Sequence, residues 1–153
     1  MSTRTLILVL ALTFAGHAMG DDRLYKVLEV TFDSFKSLED SHGRTLDGSI
    51  MFYFANEGGP ATELDEISAR GSTFIGDLGE EVACRKALLA AFNSFEERAK
   101  RDGATAVVGM RTFASQTAVS KLRQHCLCRV AKNRAATTVK GRLVGSKVGT
   151  QYE

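Results

Sequence analysis

This chain lacks several things that enzymes and membrane proteins need. Only three histidines occur in 153 residues, and one of them, His17, falls in an N-terminal leader. His42 and His125 remain, and neither belongs to a G-x-S-x-G, H-E-x-x-H or phosphate-loop motif. The usual hydrolase, metalloprotease and nucleotide-binding signatures are therefore missing. The apolar run at 6–14 is too short to span a bilayer. Tryptophan is absent and the other aromatics are not interleaved with the basic residues, so base stacking on nucleic acid is not expected. There is no internal repeat and no low-complexity segment, and the single proline, Pro60, sits in a turn at 56–60.

The first twenty residues have the organisation of a secretory leader. Arg4 supplies a positive start, 6–14 the apolar core, and Ala18-Met19-Gly20 the small residues before a cleavage point after Gly20. Residues 21–153 then read as one domain in a periplasmic or secreted setting, with no membrane span after cleavage. Charge is unevenly spread along that domain. Residues 21–117 carry 11 basic and 17 acidic side chains, whereas 118–153 carry 8 basic and 1 acidic. The basic end can meet an anionic envelope component or an acidic protein, or it can form solvated outer strand faces neutralised by the acidic half. The candidate partner-binding residues are Lys121, Arg123, Arg129, Lys132, Arg134, Lys140 and Arg142.

The best-defined stretch is 77–113. Cys84, Leu88, Ala91, Phe92, Phe95 and Ala99 recur at helical spacing and predict one buried stripe. Arg85, Lys86, Asn93, Glu96, Glu97 and Lys100 are expected on the solvent side, so Glu96 and Glu97 read as solvated rather than as an acid–base pair. Asp77 and Glu80 have capping-box spacing, and Gly103 stops the helix. The apolar run after Gly103 predicts a strand with Ala106, Val108 and Met110 on one face and Val107, Gly109 and Arg111 on the other. Strands are also expected at 24–31, at 49–55 in a central position, at an edge near 63–74, at 119–130 and at 136–144. A short helix is expected around Phe32, Phe35 and Leu38, a hairpin loop at 114–117, a close backbone approach at Gly141, and a loose tail at 146–153. The fold class is α+β: a small mixed or antiparallel sheet packed by one long amphipathic helix and stapled by a disulfide.

An exported chain with three cysteines makes a disulfide the default. Cys84 faces the sheet from the helix. Cys126 and Cys128 share one strand face, so either can meet Cys84, whereas two cysteines two apart on a strand are poorly placed to bond each other. The alternative chemistry is a heavy-metal site on His125, Cys126 and Cys128. On a regular strand His125 points away from both cysteines, and no second C-x-x-C or H-x-x-x-H pair completes four ligands. No cofactor is expected.

The chain resembles a group of short exported bacterial proteins that are labelled automatically as the ATPase component of excinuclease ABC. The resemblance rests on Leu46-Asp-Gly-Ser-Ile-Met-Phe-Tyr-Phe54, Glu80-Glu-Val-Ala-Cys84, Glu96-Glu-Arg-Ala-Lys100, Gly103-Ala-Thr-Ala-Val-Val108 and Val139-Lys-Gly141, and it covers most of 21–153. In that group a helix cysteine is followed by one strand cysteine before the last strand. Counting back from Gly141, the resemblance implies a Cys84–Cys128 bridge, with Cys126 as the extra thiol. Such a bridge closes a loop of about 45 residues and is worth roughly 4 kcal/mol in the chain-entropy account. A DNA-repair ATPase needs nucleotide-binding loops and zinc cysteines, and this sequence has neither. The pattern is more distantly similar to YbjQ-like heavy-metal-binding proteins, which implies ring-like oligomers, and to the envelope sensor RcsF, which implies a disulfide-stapled periplasmic domain. The expectation is a non-enzymatic exported domain that binds an envelope or extracellular partner, with a small-ligand or heavy-metal binder as the alternative.

Overall fold

The computed structural model describes residues 25–55, 66–120 and 124–145. The leader, the turn at 56–60 and the tail at 146–153 lie outside the described residues, as do Lys121 and Arg123. The elements in order are strands β1 (Tyr25–Thr31), β2 (Met51–Phe54) and β3 (Glu66–Phe74), helix α1 (Glu80–Arg101), and strands β4 (Ala106–Phe113), β5 (His125–Ala131) and β6 (Arg134–Val144). One helix packs against a curled, mixed, six-stranded sheet, and a disulfide joins them.

Strand β6 is the hub, because its eleven residues are long enough to serve three partners. Along one edge it pairs antiparallel with all of β3. Along the other it pairs with β5 through its first residues and with β4 from Thr138 onward. The sheet therefore forks, with β1 continuing beyond β5 and β2 beyond β4. At the fork Leu127 still stands opposite Glu29 of β1 but lies beyond the β5–β6 register, so it has no strand partner on that side. Thr112 Oγ1 accepts from Leu127 N–H at 2.7 Å, and Thr137 Oγ1 donates to Leu127 C=O at 2.8 Å. Both threonines are buried, so each hydroxyl satisfies a backbone group that would otherwise be orphaned away from water.

Helix α1 lies on one face of this sheet. Its whole expected stripe is buried: Cys84, Leu88, Ala91, Phe92, Phe95 and Ala99. Phe92 anchors an aromatic cluster, with ring centroids 5.1 Å from Phe32, 5.5 Å from Phe35 and 5.1 Å from Phe52. Gly71 lets the helix approach β3. A Cβ at that position would stand 1.8 Å from the Ala87 carbonyl oxygen. The helix ends as expected at Gly103, φ +70. Ala104 N–H bonds Ala99 C=O at 2.8 Å and Gly103 N–H bonds Lys100 C=O at 3.1 Å, a Schellman closure.

Five local readings are corrected. The helix N-cap is Gly79, φ +75, without a side-chain cap, because Asp77 is used in a 3-10 turn at Gly76–Leu78. Strand β2 is an outer strand paired parallel to β4, not a central one. In β4 a bulge at Gly109, φ +64, inserts one residue and resets the alternation, so Val107 and Met110 both enter the core. Strand β5 begins at His125 rather than at 119, after Gln124 with φ +57, while Val119 makes only an isolated bridge to Phe113. Finally, Asn93 and Glu96 are buried, each 3 % exposed, because residues 40–47 fold over that side of α1.

That overlying segment is tied down by polar contacts. Asp40 accepts from the backbone N–H groups of His42 at 2.8 Å and Arg44 at 3.0 Å, from Arg44 Nε at 2.8 Å and from Asn93 Nδ2 at 3.1 Å. Arg44 reaches on to Glu97 at 2.7 Å. Glu96 accepts the Asp47 N–H at 3.3 Å and faces Lys100 Nζ at 3.5 Å.

Candidate functional site

The cysteines are placed by α1 and β5. Cys84 and Cys128 form a disulfide with a Cα–Cα distance of 5.9 Å, the pairing that the family resemblance implied. Cys126 remains a free, fully buried thiol. Burial, with a smaller contribution from the Glu29 charge, pushes its ionisation well above the ordinary thiol range. It is thus a poor nucleophile in the folded state. His125 projects the other way and meets Glu29, Nδ1 to Oε1 at 2.7 Å. The structure therefore does not bring His125, Cys126 and Cys128 together into one ligand set: one is bridged, one buried and one turned out to a carboxylate.

The helix-free face of the sheet has a different character. Because side chains alternate along a strand, Ala135, Thr137, Val139, Gly141 and Leu143 of β6 are buried, while Arg134, Lys140 and Arg142 project from the opposite face. Cross-strand register extends that face. Arg129 of β5 stands opposite Ala136, Arg70 of β3 opposite Thr138, and Arg111 of β4 opposite Lys140. Opposed residues in a ladder share a face. The result is a cationic surface running along β6 from Arg134 to Arg142, a span of roughly 26 Å at ~3.3 Å per residue.

Among the described residues the carboxylates on this face are Glu66 and Glu29. Glu66 is paired with Lys140 at 3.3 Å and Glu29 with His125. Among the described residues Arg70, Arg111, Arg129, Arg134 and Arg142 have no carboxylate within ion-pair distance. Arg129 rests over the Tyr25 ring at 5.5 Å and Lys140 over the Phe113 ring at 5.3 Å, contacts that position the side chains without neutralising them. By contrast, the acidic residues of the helix side mostly meet cations: Glu80 with Lys26, Glu81 with Arg85, Asp40 and Glu97 with Arg44, and Asp47 with Lys100. Among the described residues the acidic half therefore reaches the basic strands only through Glu66 at Lys140 and Glu29 at His125.

The centre of the face is a cavity of about 720 Å³, and Arg70, Arg129 and Lys140 are among its lining residues. Of the candidate binding residues, Arg129 and Lys140 line it, Arg134 and Arg142 continue the same face beyond it, and Lys132 lies in the exposed turn between β5 and β6. Arg70 and Arg111 were missed by sequence reasoning because both belong to the acidic half of the chain. The signal for Arg70 was available in β3, where Ile67, Ala69 and Gly71 alternate with polar residues and point Arg70 away from the helix. For Arg111 the Gly109 bulge hides the parity.

No helix among the described residues is long and apolar enough to cross a membrane. No family model matches the chain, and neither a curated protein nor a solved structure matches it.

Proposed function

We propose that this chain is a non-enzymatic exported domain that binds an anionic envelope or extracellular component through the helix-free face of its sheet. The observation that carries this reading is the set of arginines on that face, Arg70, Arg111, Arg129, Arg134 and Arg142, with no carboxylate partner among the described residues. Surface cations left unpaired on a rigid sheet raise the local concentration of anions and speed their capture. Guanidinium groups in particular match carboxylate and phosphate oxygens two at a time. The leader-like sequence at 1–20 and the Cys84–Cys128 staple support an oxidising compartment, periplasmic or secreted. The absence of a recognisable catalytic motif in the sequence favours binding over turnover. The likeness to short exported bacterial proteins belongs to the same reading.

The test is retention of the disulfide-bonded domain on immobilised polygalacturonate at increasing salt. The triple variant Arg129→Gln, Arg134→Gln, Arg142→Gln is expected to elute at clearly lower salt than wild type, with a smaller salt dependence. Identical elution of the two proteins would remove the proposal. A matching triple variant on the helix side, Arg85→Gln, Lys86→Gln, Arg98→Gln, controls for net charge and is expected to elute much closer to wild type.

A further inference from the structure

We infer that the cavity between β3, β5 and β6 is a binding site for a polyhydroxylated anion of sugar size, a sugar acid or sugar phosphate. The inference rests on the proposed anionic-partner face and specifies what its centre recognises. Three observations converge. Among the described residues the charged ones lining the cavity, Arg70, Arg129 and Lys140, are all cationic, which favours an anionic group and disfavours a cation. The remaining polar lining is hydroxyl and amide. The side chains of Ser72, Gln116 and Thr138 make no hydrogen bond among the described residues, whereas those of Ser115 and Thr137, also at the cavity, are already engaged. Uncommitted hydroxyls and an amide both donate and accept, which is the property needed to bind a ligand that itself carries several hydroxyls. The third is size: about 720 Å³ lies within the ~300–1,000 Å³ range of small-molecule sites and is too large for a bare inorganic anion to fill.

The walls are also fixed in place. Arg129 and Ala136 are opposed at the β5–β6 hairpin, and Arg70 and Thr138 are opposed across the long β3–β6 ladder. Lys140 is held by Glu66 on one side and the Phe113 ring on the other. A site built on paired strands loses little conformational freedom when it binds.

The experiment is isothermal titration of the disulfide-bonded domain with glucuronate, glucose 6-phosphate, glucose and inorganic phosphate as separate probes. Both sugar anions are expected to bind one per chain. Glucose and inorganic phosphate are each expected to bind at least about tenfold more weakly, since each lacks one half of the recognised chemistry. Arg70→Gln and Arg129→Gln are each expected to weaken the sugar anions by about tenfold or more, while the helix-side variant Arg85→Gln with Arg98→Gln leaves them unchanged. Glucose or inorganic phosphate binding as tightly as the sugar anions would overturn the inference, as would an Arg70→Gln variant with wild-type affinity.

The same variants on polygalacturonate separate the two sources of such a ligand. Binding of the polymer alone, lost in Arg70→Gln, supports the site with a polysaccharide unit as its occupant. Binding of the free sugar anions supports a soluble occupant. Polymer binding that survives Arg70→Gln and disappears only in Arg134→Gln with Arg142→Gln overturns the cavity inference and leaves the wider face intact.

Discussion

Two buried carboxyls on the helix side of the molecule are driven in opposite directions. Burial alone would raise the Asp40 ionisation. The N–H groups of Arg44 and His42, the Asn93 amide and the Arg44 guanidinium outweigh it and hold the carboxyl at about 2. A depressed acid stabilises the fold above its unfolded value and loses that contribution as pH falls through the folded one. From a starting value of 3.8, the shift corresponds to about 2 kcal/mol at neutral pH, fading between roughly pH 4 and 2. Asp40→Asn is therefore expected to cost more stability near neutrality than at acid pH, as read by denaturant unfolding at both. Glu96 has the reverse sign. Burial first, and then the Asp47 carboxyl, raise it above the ordinary glutamate range. Its contribution is present at low pH and is lost as pH rises through the raised value, so the stability of Glu96→Gln relative to wild type should increase from acid to neutral pH. A decrease over that range would contradict the assignment. Neither carboxyl was legible as buried in the sequence. Helical spacing places Glu96 beside Glu97 on a polar flank, and only the distant residues 40–47, folded over that flank, change its environment.

At the level of elements, the helix stripe and the strand alternation were legible because both are local periodicities. What escaped were features set by partners far along the chain. Strand β2 is as apolar as a central strand, yet it pairs on one side with β4, and Phe52 and Phe54 find their burial against α1 and Phe32 instead. The Gly109 bulge altered parity in β4 because a glycine at positive φ accommodates one extra residue without strain. Two other glycines fix how elements meet. At Gly71 a methyl would collide with helix backbone, Ala87 O at 1.8 Å and Ala91 N at 2.8 Å, and can be relieved only by lifting α1 off the sheet. At Gly141 it would meet side chains, Met110 Sδ at 2.6 Å and Val107 Cγ1 at 2.8 Å, and the methionine can rotate away. Gly71→Ala should therefore destabilise by the upper part of the roughly 1–3 kcal/mol overpacking range or beyond it, and Gly141→Ala by less. Thermal unfolding of the two variants checks the order, and equal costs would mean that the helix is free to shift.

Over the whole molecule, the disulfide and the charge distribution act on different properties. The Cys84–Cys128 bridge joins α1 to β5 across 44 residues of chain and constrains the unfolded state. Its reduction should lower stability by as much as about 4 kcal/mol. The buried Cys126 should stay unreactive toward alkylating agents until the protein unfolds, and then take up one alkyl group. Denaturant unfolding with and without reductant measures the first, and intact mass after alkylation the second. The charge distribution bears on function. The basic C-terminal strands were evident in the sequence, but Arg70 and Arg111 join them only through the β3–β6 and β4–β6 registers. The helix side keeps most of its acids paired, which leaves the helix-free face as the unneutralised part of the described surface.

The claim that this face is where a partner binds is tested most directly by mapping amide chemical shifts of the labelled, disulfide-bonded domain during titration with an oligogalacturonate. The account predicts shifts concentrated at Arg70, Ser72, Arg129, Thr138, Lys140 and their strand neighbours, with α1 between Glu80 and Arg101 largely unmoved. Shifts concentrated along α1, or none at an oligomer concentration that saturates immobilised protein, would contradict it.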